Sequence, residues 1–402
     1  MQEYVVGGAV RDYFLGRDTE DRDYVVVGST VDEMLELGFT QVGADFPVFL
    51  DESGDEYALA RTERKTGEGY LGFDTRFGPD VTLEDDLSRR DLTVNSMAMD
   101  SEFNLFDPFG GFRDLEAKVL RHTSEAFVED PVRVLRLARF RARFGPEWKV
   151  AEETMELVFH MAKSGVLNEL KGDRVFKEFS RAMMEDHPRL FFDTLYECDA
   201  LHVLFPEVYQ LLTATERLKW HPEGNSYEHT MLVLTQAVLF NGSFEERLAA
   251  QAHDFGKALS PKETLPAHHG HEKTGVPVVK AFCDRNRVPT KARDRAMKAT
   301  RYHMLKVDQV NPKTLVRMFD SMNALNDPRS VEVLHFTMKC DHRGRLGHEN
   351  ANVDYVDYLL EAFETYKSVK YSDVFGPDDK PSGERVKQRL YQERVKALRE
   401  MV

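Results

Sequence analysis

From residue 4 to about residue 107, apolar residues come in short β-rich runs. These are Tyr4-Val5-Val6, Tyr24-Val25-Val26-Val27, Phe46-Pro47-Val48-Phe49-Leu50 and Tyr57-Ala58-Leu59-Ala60, set apart by helical patches and by Gly or Asp turns. Thr30 with Glu33 three residues on is a capping-box pattern and Gly38 a stop, so 31–37 reads as a short helix. After about Leu115 the spacing of apolar positions changes to the helical period. It predicts helices over 132–144, 151–163, 174–184 and 188–198, the last with Pro188 where a first turn tolerates proline. A break near 213–226, with Pro222 and Gly224, leads into a third region rich in histidine. There 249–256 reads as a helix ending at Gly256, and His268-His269-Gly270-His271 as a loop. A polar stretch over 373–383 precedes a charged final helix. The expected fold class is α+β: a small α/β head over 1–125, an all-helical neck over 126–215, and a helical His-rich domain with its tail over 216–402.

Composition narrows this picture. The 402 residues are 42% hydrophobic and 31% charged, enough to build cores, and no run approaches the roughly 18 apolar residues of a membrane helix. Met1-Gln2-Glu3 does not open a secretory signal, so neither a membrane nor secretion is expected and the location is expected to be cytoplasmic. Cys198, Cys283 and Cys340 are far apart and fit a reducing compartment. The formal net charge of −15 argues against a protein that binds nucleic acid by bulk attraction. It leaves room for a local basic groove: residues 110–145 hold eight basic residues against five acidic ones.

Three constellations in the head and neck carry chemistry. In the first, Val5-Val6-Gly7-Gly8-Ala9-Val10-Arg11-Asp12, a strand enters two glycines and a helix leaves. Such a turn lets a phosphate approach backbone N–H groups, with Arg11 one turn further in. Asp21 and Asp23 follow at i, i+2 on one face of the next strand, a spacing that suits Mg²⁺ and two-metal nucleotidyl transfer. Taken alone, a Gly-Gly is usually a tight turn and an Asp-x-Asp a solvated loop; the pair together points to nucleotidyl transfer. The second constellation is the Arg89-Arg90-Asp91 motif after an acidic helix start. The third is Glu129-Asp130-Pro131-Val132-Arg133, continued by Arg136 and Arg139 at i+3 on one helix face. Arginine stripes are usually solvated faces; this one alternates with Val134, Leu135 and Leu137 on a buried side, so a groove-facing stripe stands at least level with a solvated one.

In the third region His229, His253, His268, His269, His271 and His303 gather. Imidazole with carboxylate suits a transition ion better than Mg²⁺. The adjacent pair His253-Asp254 is weak by itself, because neighbouring helix residues do not share a face.

As a collinear set, with Leu204-Phe205-Pro206-Glu207 beyond the neck, these motifs closely resemble the bacterial CCA-adding tRNA nucleotidyltransferases that carry an HD phosphohydrolase domain. That family is the class II group of the polymerase-β-like superfamily. The resemblance implies a polymerase-β-like nucleotidyltransferase head, a helical neck and a helical HD domain. It implies that Gly8 and Arg11 contact nucleotide and that Asp21 and Asp23 hold catalytic Mg²⁺. Arg89-Arg90-Asp91 would sense the ribose, with Arg90 a nucleotide contact. Asp130 and Arg133 would read the incoming base, and Arg136 and Arg139 would hold phosphate and nearby RNA. The substrates implied are CTP, ATP and a tRNA 3′ end, for a monomer or weak homo-oligomer.

His253-Asp254 matches the namesake pair of the HD domain, with His229 upstream. His269, His271, His303 and Asp341 are further ligand candidates for Ni²⁺ or another transition ion. Relatives use this domain for 2′,3′-cyclic phosphodiesterase, 2′-nucleotidase and phosphatase activities. Where relatives can have a second His-Asp pair, methionine follows His303 here. The rival readings are a bacterial poly(A) polymerase, which shares the head motifs, and an HD phosphohydrolase whose head only binds tRNA.

Overall fold

The computed structural model describes residues 1–17, 22–42, 47–65, 73–376 and 381–401. The chain falls into two compact units, Met1–Leu204 and Phe205–Val402.

In the first unit the alternating pattern builds strands β1 (Gln2–Val6), β2 (Asp23–Val27), β3 (Thr40–Val42), β4 (Val48–Leu50), β5 (Glu56–Leu59), β6 (Arg61–Lys65), β7 (Phe73–Phe77), β8 (Ala98–Met99) and β9 (Leu105–Phe106). Among the described residues, β3-β4-β5-β2-β1-β8-β9 form one sheet and β6-β7 a separate hairpin. The unbroken apolar run of β2 follows from burial on both faces. Val25 packs with Tyr4, Val6, Leu87 and Ala98, and Val26 with Met34, Phe49, Tyr57 and Leu59 on the opposite side. The register sets the site: antiparallel pairing places Asp23 opposite Val6, the last residue before Gly7, and parallel pairing places it opposite Glu56.

Helices α1 (Gly8–Phe14), α2 (Val31–Glu36), α3 (Leu83–Ser88) and α4 (Gly111–Glu116) accompany the sheet. The Thr30–Glu33 capping box is formed as the sequence predicts. The helical part consists mainly of α5 (Val132–Phe144), α6 (Glu152–Ser164), α7 (Gly172–Met184) and α8 (Pro188–Glu197), within two residues of the predicted spans. α5 buries Val134, Leu135, Leu137 and Ala138 and packs against α7 and α8.

In the second unit the Ser226–Leu239, Phe244–Ala252, His271–Arg285, Thr290–Tyr302 and Arg329–Arg343 helices form the core. Two expectations are corrected here. The helix before His253 ends at Ala252 rather than Gly256, and Phe255–Leu259 continue as a tighter 3₁₀ turn. His271 is not in a loop. Gly270 adopts the left-handed conformation at φ 79° and His271 opens a new helix. No helix of the described residues is long and apolar enough to cross a membrane.

The 3₁₀ turn lies directly on the His271–Arg285 helix. A Cβ on Gly256 would stand 2.1 Å from the His271 carbonyl oxygen and 2.7 Å from the Gly275 nitrogen. Both obstacles are backbone, so they cannot swing aside. Gly256→Ala is expected to lower the second unit's stability by about 1–3 kcal/mol, read as a lower denaturant midpoint. An unchanged midpoint would show that the turn does not need this contact.

Candidate active site and metal centre

A cavity of about 1330 Å³ opens in the first unit beside the Gly7-Gly8 turn, lined by eleven basic and six acidic residues among others. It gathers Gly8, Arg11, Asp23, Arg90, Asp91, Asp130, Arg133, Arg136 and Arg139, which lie up to 131 positions apart in sequence. Asp21 lies outside the described residues. Asp23 is exposed at the start of β2. Glu56, its register partner, brings a further carboxylate to this sheet edge. No linear motif signals Glu56, because only strand pairing makes it a neighbour.

The turn is shaped for close approach. Gly7 has φ 68°, and a Cβ there would stand 2.8 Å from Arg90 Nη1. α1 spans seven residues, so its dipole contributes little and the arginines dominate the field. Arg11 is 3% exposed. It donates to both oxygens of Asp12 at 2.8 Å and to Asn95 Oδ1, and it lies 5.3 Å from the ring centres of Phe140 and Phe144.

The arginine stripe does face this cavity, but its charges are held by the protein. Arg133 donates to the carbonyl oxygens of Ala126 and Arg89, each at 2.6 Å. Arg136 donates to Asp91 at 2.7 Å, Arg139 to Glu178 at 2.6 Å, and Arg143 to Asp12 at 3.0 Å. Asp130 Oδ1 accepts from the Val132 amide and Oδ2 from Arg174 at 2.7 Å. Arg89 and Arg90 share Asp86, whose side chain is fully buried. Asp86, Arg174 and Glu178 escaped the sequence reading. A charged residue at helical spacing looks like a solvated surface position until the facing arginine is known.

Asp91 is positioned as an anchor. Its carboxylate accepts from Asn95, the Leu92 amide and Arg136. Burial would raise its pKa, but Arg136 and these hydrogen bonds override that and lower it to about 2 from 3.8. A carboxylate depressed on folding stabilises the protein above its unfolded pKa and loses that contribution as pH falls through the folded value. The contribution is about 2 kcal/mol, present above about pH 4 and lost towards pH 2.

In the second unit the break after Ala252 changes what His253-Asp254 can do. His253 ends the helix and Asp254 turns away at φ −105°, so the adjacent side chains converge, with His253 Nε2 at 3.2 Å from Asp254 Oδ2. His229, His271, His303 and Asp341 meet them. His229 Nε2 is 3.1 Å from Asp341 Oδ1, and His271 Nε2 is 3.1 Å from Asp254 Oδ1. His269 is exposed and joins none of the converging ligand groups among the described residues.

The outer contacts orient the rings. Nδ1 of His253, His271 and His303 donates to the carbonyls of Ala250, His268 and Thr300 at 2.6–2.8 Å. Each Nε2 lone pair is therefore turned inward. His229 Nδ1 donates to Glu223 at 3.0 Å. Burial disfavours the His229 cation, but Asp341 and Glu223 outweigh it and raise its pKa to about 9. Lys257, also missed, is buried and contacts Asp254 at 2.7 Å and Glu216 at 2.6 Å. His253 Nε2 and Asp254 Oδ1 are buried with no hydrogen-bond partner among the described residues, which fits a divalent metal better than a closed polar network.

Comparison with known proteins gives three family matches along the chain. The Poly A polymerase head domain family matches residues 3–121, the "Probable RNA and SrmB- binding site of polymerase A" residues 148–212, and the HD domain residues 226–325. The chain is 47% identical to the Multifunctional CCA protein of Acinetobacter baumannii strain AYE over 100% of its own length and 97% of the relative's. The strain SDF protein of the same description is 46% identical over the same shares. Among solved structures, the Bacillus stearothermophilus CCA-adding enzyme in complex with CTP superposes with a TM-score of 0.66 at 20% identity, covering 100% of this chain and 89% of that one. The Thermotoga maritima CCA-adding enzyme complexed with tRNA_CCA gives 0.59 at 21%, covering 99% and 87%. Both likenesses establish the fold.

Asp91→Asn removes the Arg136 counter-charge, and destabilisation of about 3 kcal/mol is expected in chemical denaturation at pH 7. The variant should also lose the wild-type fall in stability between about pH 4 and pH 2 that Asp91 contributes. Equal pH profiles for the two proteins would refute the anchoring role.

Proposed function

The chain belongs to the family of multifunctional CCA proteins, and from that premise we propose that it builds and repairs the 3′-terminal CCA of tRNA. It uses two CTP and one ATP, without a nucleic-acid template, and releases pyrophosphate. The observation that carries this reading is the convergence on one cavity of the Gly-Gly turn, Asp23, Arg90, Asp130 and Arg133. The division into head, neck and HD domain, a monomer or weak homo-oligomer, and a cytoplasmic location belong to the same reading.

Asp23 with Asp21 would hold Mg²⁺, which would supply the Lewis-acid chemistry for an attacking RNA 3′-hydroxyl and a departing pyrophosphate. Gly8, Arg11 and Arg90 orient the nucleotide, and Arg136 and Arg139 take its phosphates and the nearby RNA. Asp130 and Arg133 select the base. A carboxylate accepts from the amino group of C or A, and a guanidinium donates to ring or carbonyl acceptors. Guanine and uracil present the opposite pattern and leave buried groups unpaired. Because Asp130 already holds Arg174 and Arg133 holds two carbonyls, an entering base exchanges for existing bonds. Discrimination then depends on replacing those bonds without loss.

The HD domain acts as a metal-dependent phosphohydrolase on 2′,3′-cyclic and 2′-phosphates. His229, His253 and Asp254 hold Ni²⁺ or another transition ion. The orphaned buried atoms of His253 and Asp254 support this part.

A tRNA ending before CCA, incubated with CTP and ATP, is expected to gain three nucleotides and stop. A lengthening A tract would support a poly(A) polymerase instead. Asp23→Ala should depress CTP incorporation by more than the roughly 100-fold that outer-shell changes cost at metal sites, with cyclic phosphodiesterase activity intact. His253→Ala should do the reverse, abolishing phosphodiesterase activity while three-nucleotide addition persists. If His253→Ala stopped nucleotide addition while leaving the first unit folded, the assignment of two separate activities would fail.

A further inference from the structure

The segment between Ala214 and Ser226 carries two exposed large apolar side chains, Leu218 at 69% and Trp220 at 56%. Its backbone is tied down. Thr215 pairs with Asn225, and the Ser226 amide donates to the Ala214 carbonyl at 2.9 Å. Within the loop the Trp220 and His221 amides both donate to the Arg217 carbonyl, at 2.8 and 2.9 Å. Glu216 is buried at its base and accepts from Ser226 Oγ at 2.8 Å and from Lys257 at 2.6 Å. An indole held in water on a fixed backbone forgoes the stabilisation of burial, which a ligand can restore.

The loop forms one wall of the entrance to the histidine–aspartate centre. His221, next to Trp220, sets its ring edge-on to His229 with the ring centres 4.7 Å apart. Glu223 Oε1 accepts from His221 and His229, and Oε2 accepts from the Leu346 amide at 3.3 Å. Glu223 thereby ties the loop to the segment that follows the Arg329–Arg343 helix. The Asp341 side chain is 12% exposed, against 5% or less for His229, His253, Asp254, His271 and His303, so the centre opens to water on the Asp341 side.

Arg345 stands at that opening. Its Nη2 is 3.5 Å from Asp341 Oδ1, and its Nε is buried with no hydrogen-bond partner among the described residues. A guanidinium with an unmet donor fits a phosphate oxygen. Lys219 adds a cation 4.8 Å from the centre of the Trp220 ring. An aromatic face with cations beside a phosphate-cleaving centre is the combination that holds a nucleotide, the ring taking the base and the cations the phosphates.

We propose that Trp220 is the base-stacking residue of the second unit's phosphohydrolase site, which therefore prefers phosphate esters of nucleosides to simple ones. The proposal rests on the phosphohydrolase reading and adds the part of the substrate that a metal does not touch. Arg345 receives the phosphate at the opening and Trp220 the base of the same nucleotide. Lys219 meets the preceding phosphate when that nucleotide ends an RNA.

The full chain is assayed with adenosine 2′-monophosphate and with glycerol 2-phosphate, an ester without a base. Trp220→Ala is expected to lower the preference for the nucleotide, as a ratio of kcat/KM values, about 5- to 150-fold and through KM. Trp220→Phe should hold the preference. An unchanged ratio in Trp220→Ala would overturn the proposal. A second readout needs no change at the site. Trp148, buried in the first unit, is the chain's other tryptophan, so in Trp148→Phe the indole of Trp220 reports alone. Adenosine 2′-monophosphate should quench its fluorescence and glycerol 2-phosphate should not. Quenching without hydrolysis of either ester would keep the nucleotide site and overturn the phosphohydrolase reading. Hydrolysis of both without quenching would keep that reading and overturn the stacking role. A trinucleotide ending in a 2′,3′-cyclic phosphate that quenches at lower concentration than the mononucleotide, with the gap closed by Lys219→Ala, would make an RNA end the source of the base. Equal midpoints would make it a free nucleotide.

Discussion

A guanidinium cannot be buried without acceptors, and the first unit is organised around that constraint. Arg11, Arg133 and Arg139 are each less than 9% exposed and line the cavity. Their acceptors come from four places: Asp12 in α1, Asn95 after the Arg89-Arg90-Asp91 motif, carbonyls of the segments before α5, and Glu178 in α7. Apart from Arg11–Asp12, which lies within α1, each pair fastens one element to another, so α1, the motif loop and helices α5 and α7 are placed relative to one another by the groups that line the site. Removing one partner leaves a buried charge uncompensated, a larger penalty than the pair's own net contribution. The polar cavity is therefore part of what fixes the unit's shape.

That arrangement also resolves the net charge of −15. An acidic chain can recognise nucleotide and RNA when its basic residues are concentrated in one cavity and moderated by carboxylates. Asp86, Asp91 and Glu178 keep the arginines in fixed orientations, and fixed donors bind a phosphate with less loss of side-chain freedom than mobile ones. On the proposed function affinity would then be local, and the rest of the acidic surface would discourage indiscriminate RNA binding.

In the second unit the organising event is a break in a helix. Had the helix run on to Gly256, His253 and Asp254 would have diverged by about 100°. Ending it at Ala252 brings both side chains into the same interior, where His229, His271, His303 and Asp341 arrive from four other helices or their ends. Gly256 and Gly275 permit the backbone approach that brings His271 into range. The carbonyls of Ala250 and Thr300, at two helix C-termini, and of His268, in the turn before His271, orient the rings, so groups left over from helix termination become part of the centre.

Local order was legible in the sequence because it depends on nearest neighbours. Helix α5 and the Thr30 cap follow from period and capping, and the continuous apolar run of β2 from burial on both faces. The motifs with their family resemblance located Arg11, Asp23, Asp130 and Arg133 in one site, and His253-Asp254 in another. What the sequence could not show was pairing. Glu56 beside Asp23, Glu178 beneath Arg139, Arg174 on Asp130, and Lys257 against Asp254 are separated from their functional neighbours by strand register or helix packing. His269 shows the converse, a histidine adjacent to the cluster in sequence yet exposed in space, because Gly270 turns the chain between it and His271. Sequence alone determined which chemistry the chain carries, since residue type and short spacing decide that. Only the tertiary structure decided which charges face each other, because electrostatic energy depends on distance through the fold and not on separation along the chain.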